Sequence, residues 1–462
     1  MMKKWFLILI FVSPLIVCGQ NNGDKDIPID YLWKTVGNPG FSSATAEFLS
    51  LAFDSNNAPC VAFRDWGNSN KATAMRYDGI NWLNIGTAGF SDGSVKYTSL
   101  AFSPLDDQPY VVYQDSLNSY KATVRKFDGT NWVNVGSVGF SAGKVWYTCL
   151  AFSPTGQPYV AFEDSTNSYR ASVMKFDGVN WIYVGTAGFS NATAGYTSLS
   201  FHPSGQPYLA FTDEANSYKA TVMKFDGNSW VAVGNPGFSG GMALSLSLSI
   251  SVLGEPYLAF QDYSKSEKVT VMKFDGSAWV NVGSAGFSKG VAWNPSLAFD
   301  LQGFPYVAFS DDGYALKAST MKFNGAQWVY VGEFGFSPGW VNWTCLAFNS
   351  TGHPYVAFLD GANSDKASVM KFDSVYVNIV ESDISNLLLY PNPTSGKLTI
   401  DLSKLPANDK EIEIEDLTGQ IKLKLRTTEK QCNINLDYFS SGIYIVKITT
   451  YNLFYYRKFC KY

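Results

Sequence analysis

The sequence predicts an all-β chain, a seven-bladed β-propeller of four-stranded blades (~49-residue repeats) followed by a small β-sandwich, and three observations predict it. The tripeptide Gly-Phe-Ser begins at Gly40, Gly89, Gly139, Gly188, Gly237, Gly286 and Gly335, a spacing of 49 residues broken by a single 50. Each unit divides into four strand-like runs separated by turn residues. The composition suits sheets, with 16% aromatic and 16% charged residues and 40 glycines among 462. That balance excludes a disordered or coiled-coil chain.

The unit that starts at Gly139 shows the pattern. Its runs are residues 148–152, 158–162, 171–176 and 181–184. Pro158 opens the second run, where its missing N–H costs no ladder bond. Asp177-Gly178 separates the third and fourth with the residues a tight hairpin wants. Several runs are apolar on both faces, as expected of a sheet held between two neighbours. Repeat two carries one extra residue, in Pro104-Leu105-Asp106-Asp107-Gln108-Pro109, so the insertion falls in a turn. A linear solenoid is the competing repeat fold. The ends argue for a ring: the Trp-bearing fourth run occurs before the first Gly-Phe-Ser as Trp33-Lys34-Thr35-Val36, and after the last repeat it degenerates to Val375-Tyr376-Val377. One of these two segments closes the wheel. The repeat resembles seven-bladed propellers in general, without the Gly-His and Trp-Asp pairs of WD40 repeats or the double glycine of kelch repeats.

The ends carry an address. Met1-Met2-Lys3-Lys4 precedes an apolar run over residues 5–17, too short to span a bilayer and suited to a signal peptide. The expected organisation is a signal peptide at 1–19, a linker at 20–31, the propeller at 32–380, a linker at 381–386 and the last domain at 387–462. Lipidation of Cys18 is the alternative to cleavage before Gln20. Beyond the run lies no apolar stretch of 18 residues.

After residue 386 about seven short alternating strands read as a sandwich. The runs YPNPTSGKLTI, IEIEDLTGQI and SSGIYIVKI, with the end YYRKFCKY, resemble the C-terminal sorting domain of the bacterial type IX secretion system. The residues that carry the resemblance are Tyr390, Pro391, Asn392, Pro393, Gly396, Gly419, Gly442 and Tyr444. It implies a Gram-negative cell, passage through the periplasm and export to the outer surface. It further implies partnership with the secretion machinery, then removal of the domain with attachment to surface lipopolysaccharide. The 75 residues from Leu388 hold 11 basic and 8 acidic residues, against 24 and 31 in the rest, a contrast that fits separate origins.

The net charge of −4 argues against a nucleic-acid partner. His202 and His353, the only histidines, sit in tight turns, and no Cys-x-x-Cys spacing exists. Neither a cofactor nor a metal is expected. Cys149 and Cys345 occupy a repeat position held elsewhere by serine, Cys60 stands where other repeats have tyrosine, and Cys432 could pair with Cys460.

Variation between repeats concentrates just after Gly-Phe-Ser, read here as loops at the channel mouth. Tyr97, Trp146, Tyr147, Tyr196, Trp293, Trp340 and Trp343 are the candidate ligand residues, since aromatic faces stack on the C–H faces of sugars. The repeated Asp65, Asp115, Asp164, Asp213, Asp262, Asp311 and Asp360 read as turn reinforcement, because chemistry needs one asymmetric site. The leading expectation is a secreted or surface propeller that binds a glycan or protein without catalysis. The rivals are a polysaccharide hydrolase or lyase, using Glu163, Glu214 or Asp312, and a structural surface protein.

Overall fold

A computed structural model describes residues 30–375, 387–405, 410–416, 420–450 and 453–462. The expected signal segment with Cys18, the linker 381–386 and Gly419 lie outside the described residues. Residues 31–373 form one compact unit. Among the described residues it contains seven four-stranded antiparallel sheets. The first blade uses Ala46–Phe53, Pro59–Asp65, Lys71–Tyr77 and Trp82–Asn84, from inside to outside. Blades two to six repeat this order. The seventh takes Val341–Phe348, Pro354–Asp360 and Lys366–Val375 from the last repeat, and its outer strand, Asp30–Thr35, from the N-terminal side. The N-terminal segment therefore closes the ring by pairing the edge of Lys366–Val375 that the last repeat leaves open.

Three sets of bonds, each repeated in all seven blades, hold neighbours together. The indole Nε1 of each outer-strand Trp donates to a backbone carbonyl one blade back, as Trp82 to Val36, Trp181 to Val135 and, across the seam, Trp33 to Val331, each at 2.7 Å. The Phe of each Gly-Phe-Ser stacks on such an indole: Phe90 on Trp132 at 3.9 Å and Phe336 on Trp33 at 4.1 Å. Around the channel, a Ser or Cys in each inner strand accepts a backbone N–H from the next. Leu100 N donates to Ser50 Oγ at 2.9 Å, and the cycle ends with Leu51 N donating to Cys345 Sγ at 3.4 Å. Cys149 has the same role toward Leu199. This is why serine and cysteine interchange there.

The motif residues now have separate duties. The Ser of each Gly-Phe-Ser accepts from the third strand, as Ser91 Oγ does from Ala72 N at 2.9 Å. The Gly sits at positive φ against the neighbouring turn: at Gly89 (φ +63°) a Cβ would lie 2.9 Å from the Cβ of Asn68, which no other residue tolerates cheaply. The repeated aspartates cap the short turns after the second strands. Asp164 accepts from Thr166 N at 3.0 Å, Asn167 Nδ2 at 2.8 Å and Ser172 Oγ at 2.9 Å.

In the C-terminal part, Leu388–Tyr390, Lys397–Asp401 and Gln431–Asn435 form one sheet, and Ile421–Thr427, Lys410–Asp416, Gly442–Thr450 and Leu453–Lys461 another. Leu398, Ile400, Ile412, Val446 and Phe459 fill the core. The basic-aromatic end is thus a strand. Cys432 is a free thiol, and the Cys432–Cys460 pair is not formed. Cys432 lies opposite Ile400 in one sheet and Cys460 opposite Ile443 in the other, so they share no ladder.

Candidate functional site

The inner strands are longer than the sequence suggests. In blade three the strand starts at Val145, and its pairing with the second strand shifts register between Trp146 and Cys149. The bulge absorbs Tyr147, which takes φ 51°. The other blades bulge at the same place, at Phe48, Tyr97, Tyr196, Ser245, Asn294 and Trp343, all with φ between 49° and 54°. Bulges re-aim side chains, and these turn toward the axis. The expected mouth-loop residues, Trp340 apart, are therefore inner-strand residues.

Five of the seven bulge residues are aromatic and consecutive around the ring. Trp343 meets Phe48 with ring centroids 4.3 Å apart, Phe48 meets Tyr97 at 5.0 Å, Tyr97 meets Tyr147 at 5.1 Å and Tyr147 meets Tyr196 at 4.6 Å. Ser245 and Asn294 complete the circle with small or polar side chains. The amide of Asn294 donates to Asn342 Oδ1 at 2.5 Å. The arc, with Ser245, lines an open depression of ≈ 190 Å³. Below it, Thr148 and Thr197 donate to the carbonyls of Tyr97 and Tyr147, both at 2.5 Å, so the bulged backbone is pinned from the next blade.

Of the residues expected to bind ligand, Tyr97, Tyr147, Tyr196 and Trp343 come together here. Trp146, Trp293 and Trp340 do not join the arc. Trp146 packs on Tyr169 at 5.3 Å, and Trp293 and Trp340 are exposed away from the bulge. Phe48, which the sequence reading missed, belongs to the arc.

A single carboxyl distinguishes one side of the collar. Glu163 occupies a second-strand position filled by Arg64, Gln114, Thr212, Gln261, Ser310 and Leu359 in the other blades. It is buried, pairs in register with Trp146, and has no hydrogen-bond or ion-pair partner among the described residues. Burial pushes its pKa up to about 7. Burial first, and the Glu163 charge after it, raise the Tyr97 phenol. The Tyr147 phenol is raised by burial, then by Tyr196, Tyr97 and Glu163. Gly195 leaves the neighbouring side open, since a Cβ there would meet only Tyr147 Cε2, at 3.9 Å. Glu214 and Asp312 stand elsewhere. Both are exposed, in the turns after the second strands, and Glu214 accepts from Thr193 N. No group of side chains among the described residues could hold a metal ion.

The C-terminal motif is equally structured. Asn392 Nδ2 donates to the Lys458 carbonyl at 3.0 Å, and its Oδ1 accepts from Cys460 N at 2.9 Å, so the Pro-Asn-Pro turn is tied to the last strand. Tyr390 is exposed at the end of the first strand. Gly396 offers its carbonyl to Leu436 N at 2.7 Å. Gly442 opens the longest-paired strand, and Tyr444, buried between Phe439 and Phe459, donates to the Ser440 carbonyl. Residues 388–461 match the family described as secretion system C-terminal sorting domain. This segment is a type IX sorting domain. The chain is therefore exported to the surface or the surroundings of a Gram-negative cell. Among described residues no helix is long and apolar enough to cross a membrane.

The other likenesses are distant or partial. A solved structure of PorZ, a surface component of the type IX secretion system of Porphyromonas gingivalis, aligns with TM-score 0.51 at 15% identity, over 92% of this chain and 60% of that one. A polysaccharide lyase, an ulvan lyase bound to its saccharide, aligns with TM-score 0.46 at 11% identity, over 76% of this chain and 96% of that one. Ulvan lyase NLR42 of Nonlabens ulvanivorans is 33% identical over 78 residues, which is 17% of this chain and 14% of that enzyme. The chain thus spans about a seventh of that relative. The PorZ likeness, at 15% identity, shows a shared fold alone, and the propeller's family stays unassigned.

Proposed function

We propose that the propeller is a non-catalytic glycan-binding module displayed outside the cell, and that the arc Trp343–Phe48–Tyr97–Tyr147–Tyr196 is its stacking platform. The observation that carries this reading is the break in sevenfold symmetry at the axis. The indole bond, the Phe stack and the bond between inner strands recur in all seven blades; at the bulge, five supply adjacent half-buried rings and two do not. Aromatic faces present a flat apolar surface to the C–H faces of a sugar, and the tyrosine hydroxyls add polar fixing. The sorting domain hands the chain to the secretion machinery and is then removed, with lipopolysaccharide attached in its place. Intact mass measurement of the surface form would show that loss.

A glycan array and a pull-down with the secreted chain test the main reading. Retention of one saccharide class is expected, and blanks in both would overturn it. Glu163 favours a second reading. A carboxyl that titrates near neutrality can give or take a proton, so the collar could cleave the chain it holds. Hydrolases normally pair two carboxyls across the bond, and here one faces the collar. Release of new chain ends by the wild type, lost in Glu163→Gln, would replace binding by catalysis.

A further inference from the structure

In six blades the second residue of the second strand is a tyrosine, and in five of them its ring meets a Phe of the next blade edge-on, as Tyr110 meets Phe152 at 5.0 Å and Tyr355 meets Phe53 at 4.9 Å, while Tyr208 packs on Ile250. A third-strand lysine covers the ring in several of them, Lys273 lying 5.7 Å from the centre of Tyr257. Blade one breaks both habits. Cys60 replaces the tyrosine, and Arg76 replaces the lysine and turns to Asp54, Nη2 to Oδ2 at 2.8 Å. Phe102 of blade two therefore lacks the ring that its counterparts meet.

The space is not refilled. A cleft of ≈ 690 Å³ opens between blades one and two, with Cys60, Ile85, Phe102 and Phe127 among its walls. The one-residue insertion of repeat two falls on its rim, where Asp107 (φ 55°) accepts from Ser55 N at 2.9 Å and Ser55 Oγ at 2.6 Å. Two independent departures from the repeat, a lost ring and an added residue, thus meet at one place. The buried Oε1 of Gln108, at the same wall, has no hydrogen-bond partner. Five carboxylates line the cleft, those of Asp54, Asp78, Asp106, Asp107 and Asp128, against one guanidinium.

We propose that this cleft is a second binding site, separate from the collar, for one sugar ring that is neutral or carries an amino group. The ring takes the place of the missing tyrosine, with its C–H face toward Phe102. Its hydroxyls and ammonium meet the rim carboxylates. Acidic sugars are excluded, because their carboxylate would enter a field of excess negative charge. Among the described residues the other six blades keep the tyrosine, so the propeller offers one such site.

Saturation-transfer NMR on the full chain, with glucosamine, glucose and glucuronate at millimolar concentration, tests it. The expected order is glucosamine, then glucose, with no response from glucuronate. Cys60→Tyr restores the residue of the other blades, so it should fold, keep or raise the melting temperature, retain the binding of the collar and lower the responses at least tenfold. Asp106→Lys, an exposed rim change, should cut the glucosamine response severalfold, and it carries the test should Cys60→Tyr misfold. Silence from all three sugars, a glucuronate response as strong as that of glucosamine, or undiminished signals in the variants would overturn the proposal.

Discussion

The rim and the axis of the wheel use the same residue types to opposite ends. At the rim, each indole is bonded to the neighbouring blade and stacked on a Gly-Phe-Ser phenylalanine, and the arrangement recurs seven times. At the axis, aromatic side chains from five blades touch one another, stay half open to solvent, and give way to Ser245 and Asn294 on the remaining side. Repetition marks the residues that the frame requires. Variation at a repeated backbone position marks those it does not require, and there selection by a ligand can act.

The strongest way to break this contrast is to truncate one aromatic from each set. Trp181→Ala removes a buried indole, its stacking on Phe140 and its bond to Val135, and should cost about 3–5 kcal/mol in chemical unfolding. Tyr147→Ser, at the half-open collar, should cost less than about 1.5 kcal/mol. Equal losses would show that the collar is part of the frame.

The turn aspartates sharpen the same comparison. Asp164 Oδ2 accepts from both Asn167 and Ser172, and an amide nitrogen cannot accept, so Asp164→Asn should cost about 1.5–3 kcal/mol. In blade six Tyr314 replaces the asparagine, Asp311 Oδ2 is buried without a partner, and burial holds that carboxyl above its usual range. Asp311→Asn should therefore change stability by less than about 1 kcal/mol. Denaturant titration of the two variants side by side reads the difference.

A last comparison concerns pH. Glu163 has a folded pKa of about 7, above its ordinary 4.5, so the folded state holds the proton more tightly than the unfolded one. Stability from this group is complete below the unfolded value and is lost as pH rises through the folded one. Melting scans from about pH 4 to about pH 8 should show a decline in the wild type that Glu163→Gln lacks.

The frame was legible because its causes recur. Seven copies of Gly-Phe-Ser and of the Trp expose the blade, and the orphan Trp33 run signals the closure. The collar was half legible. Its members all stand eight residues after the Gly of Gly-Phe-Ser, so the repeat register alone would have found Phe48 and set aside Trp146, Trp293 and Trp340. Aromatic content alone picks out Trp146, Trp293 and Trp340 as readily as the collar residues, because nothing local announces a bulge when the residue at positive φ is an aromatic. Glu163 stood out only as a departure from its blade neighbours. Its burial and isolation come from contacts between strands, which no spacing encodes.

Calorimetric titration with the saccharide retained on the array tests the central claim most directly, on two double variants. Tyr97→Ser with Tyr147→Ser should weaken binding more than tenfold while the fold persists, and Trp293→Ser with Trp340→Ser should leave affinity within about twofold. Loss of binding in the second pair with retention in the first would contradict the account and move the ligand from the axis to the outer loops.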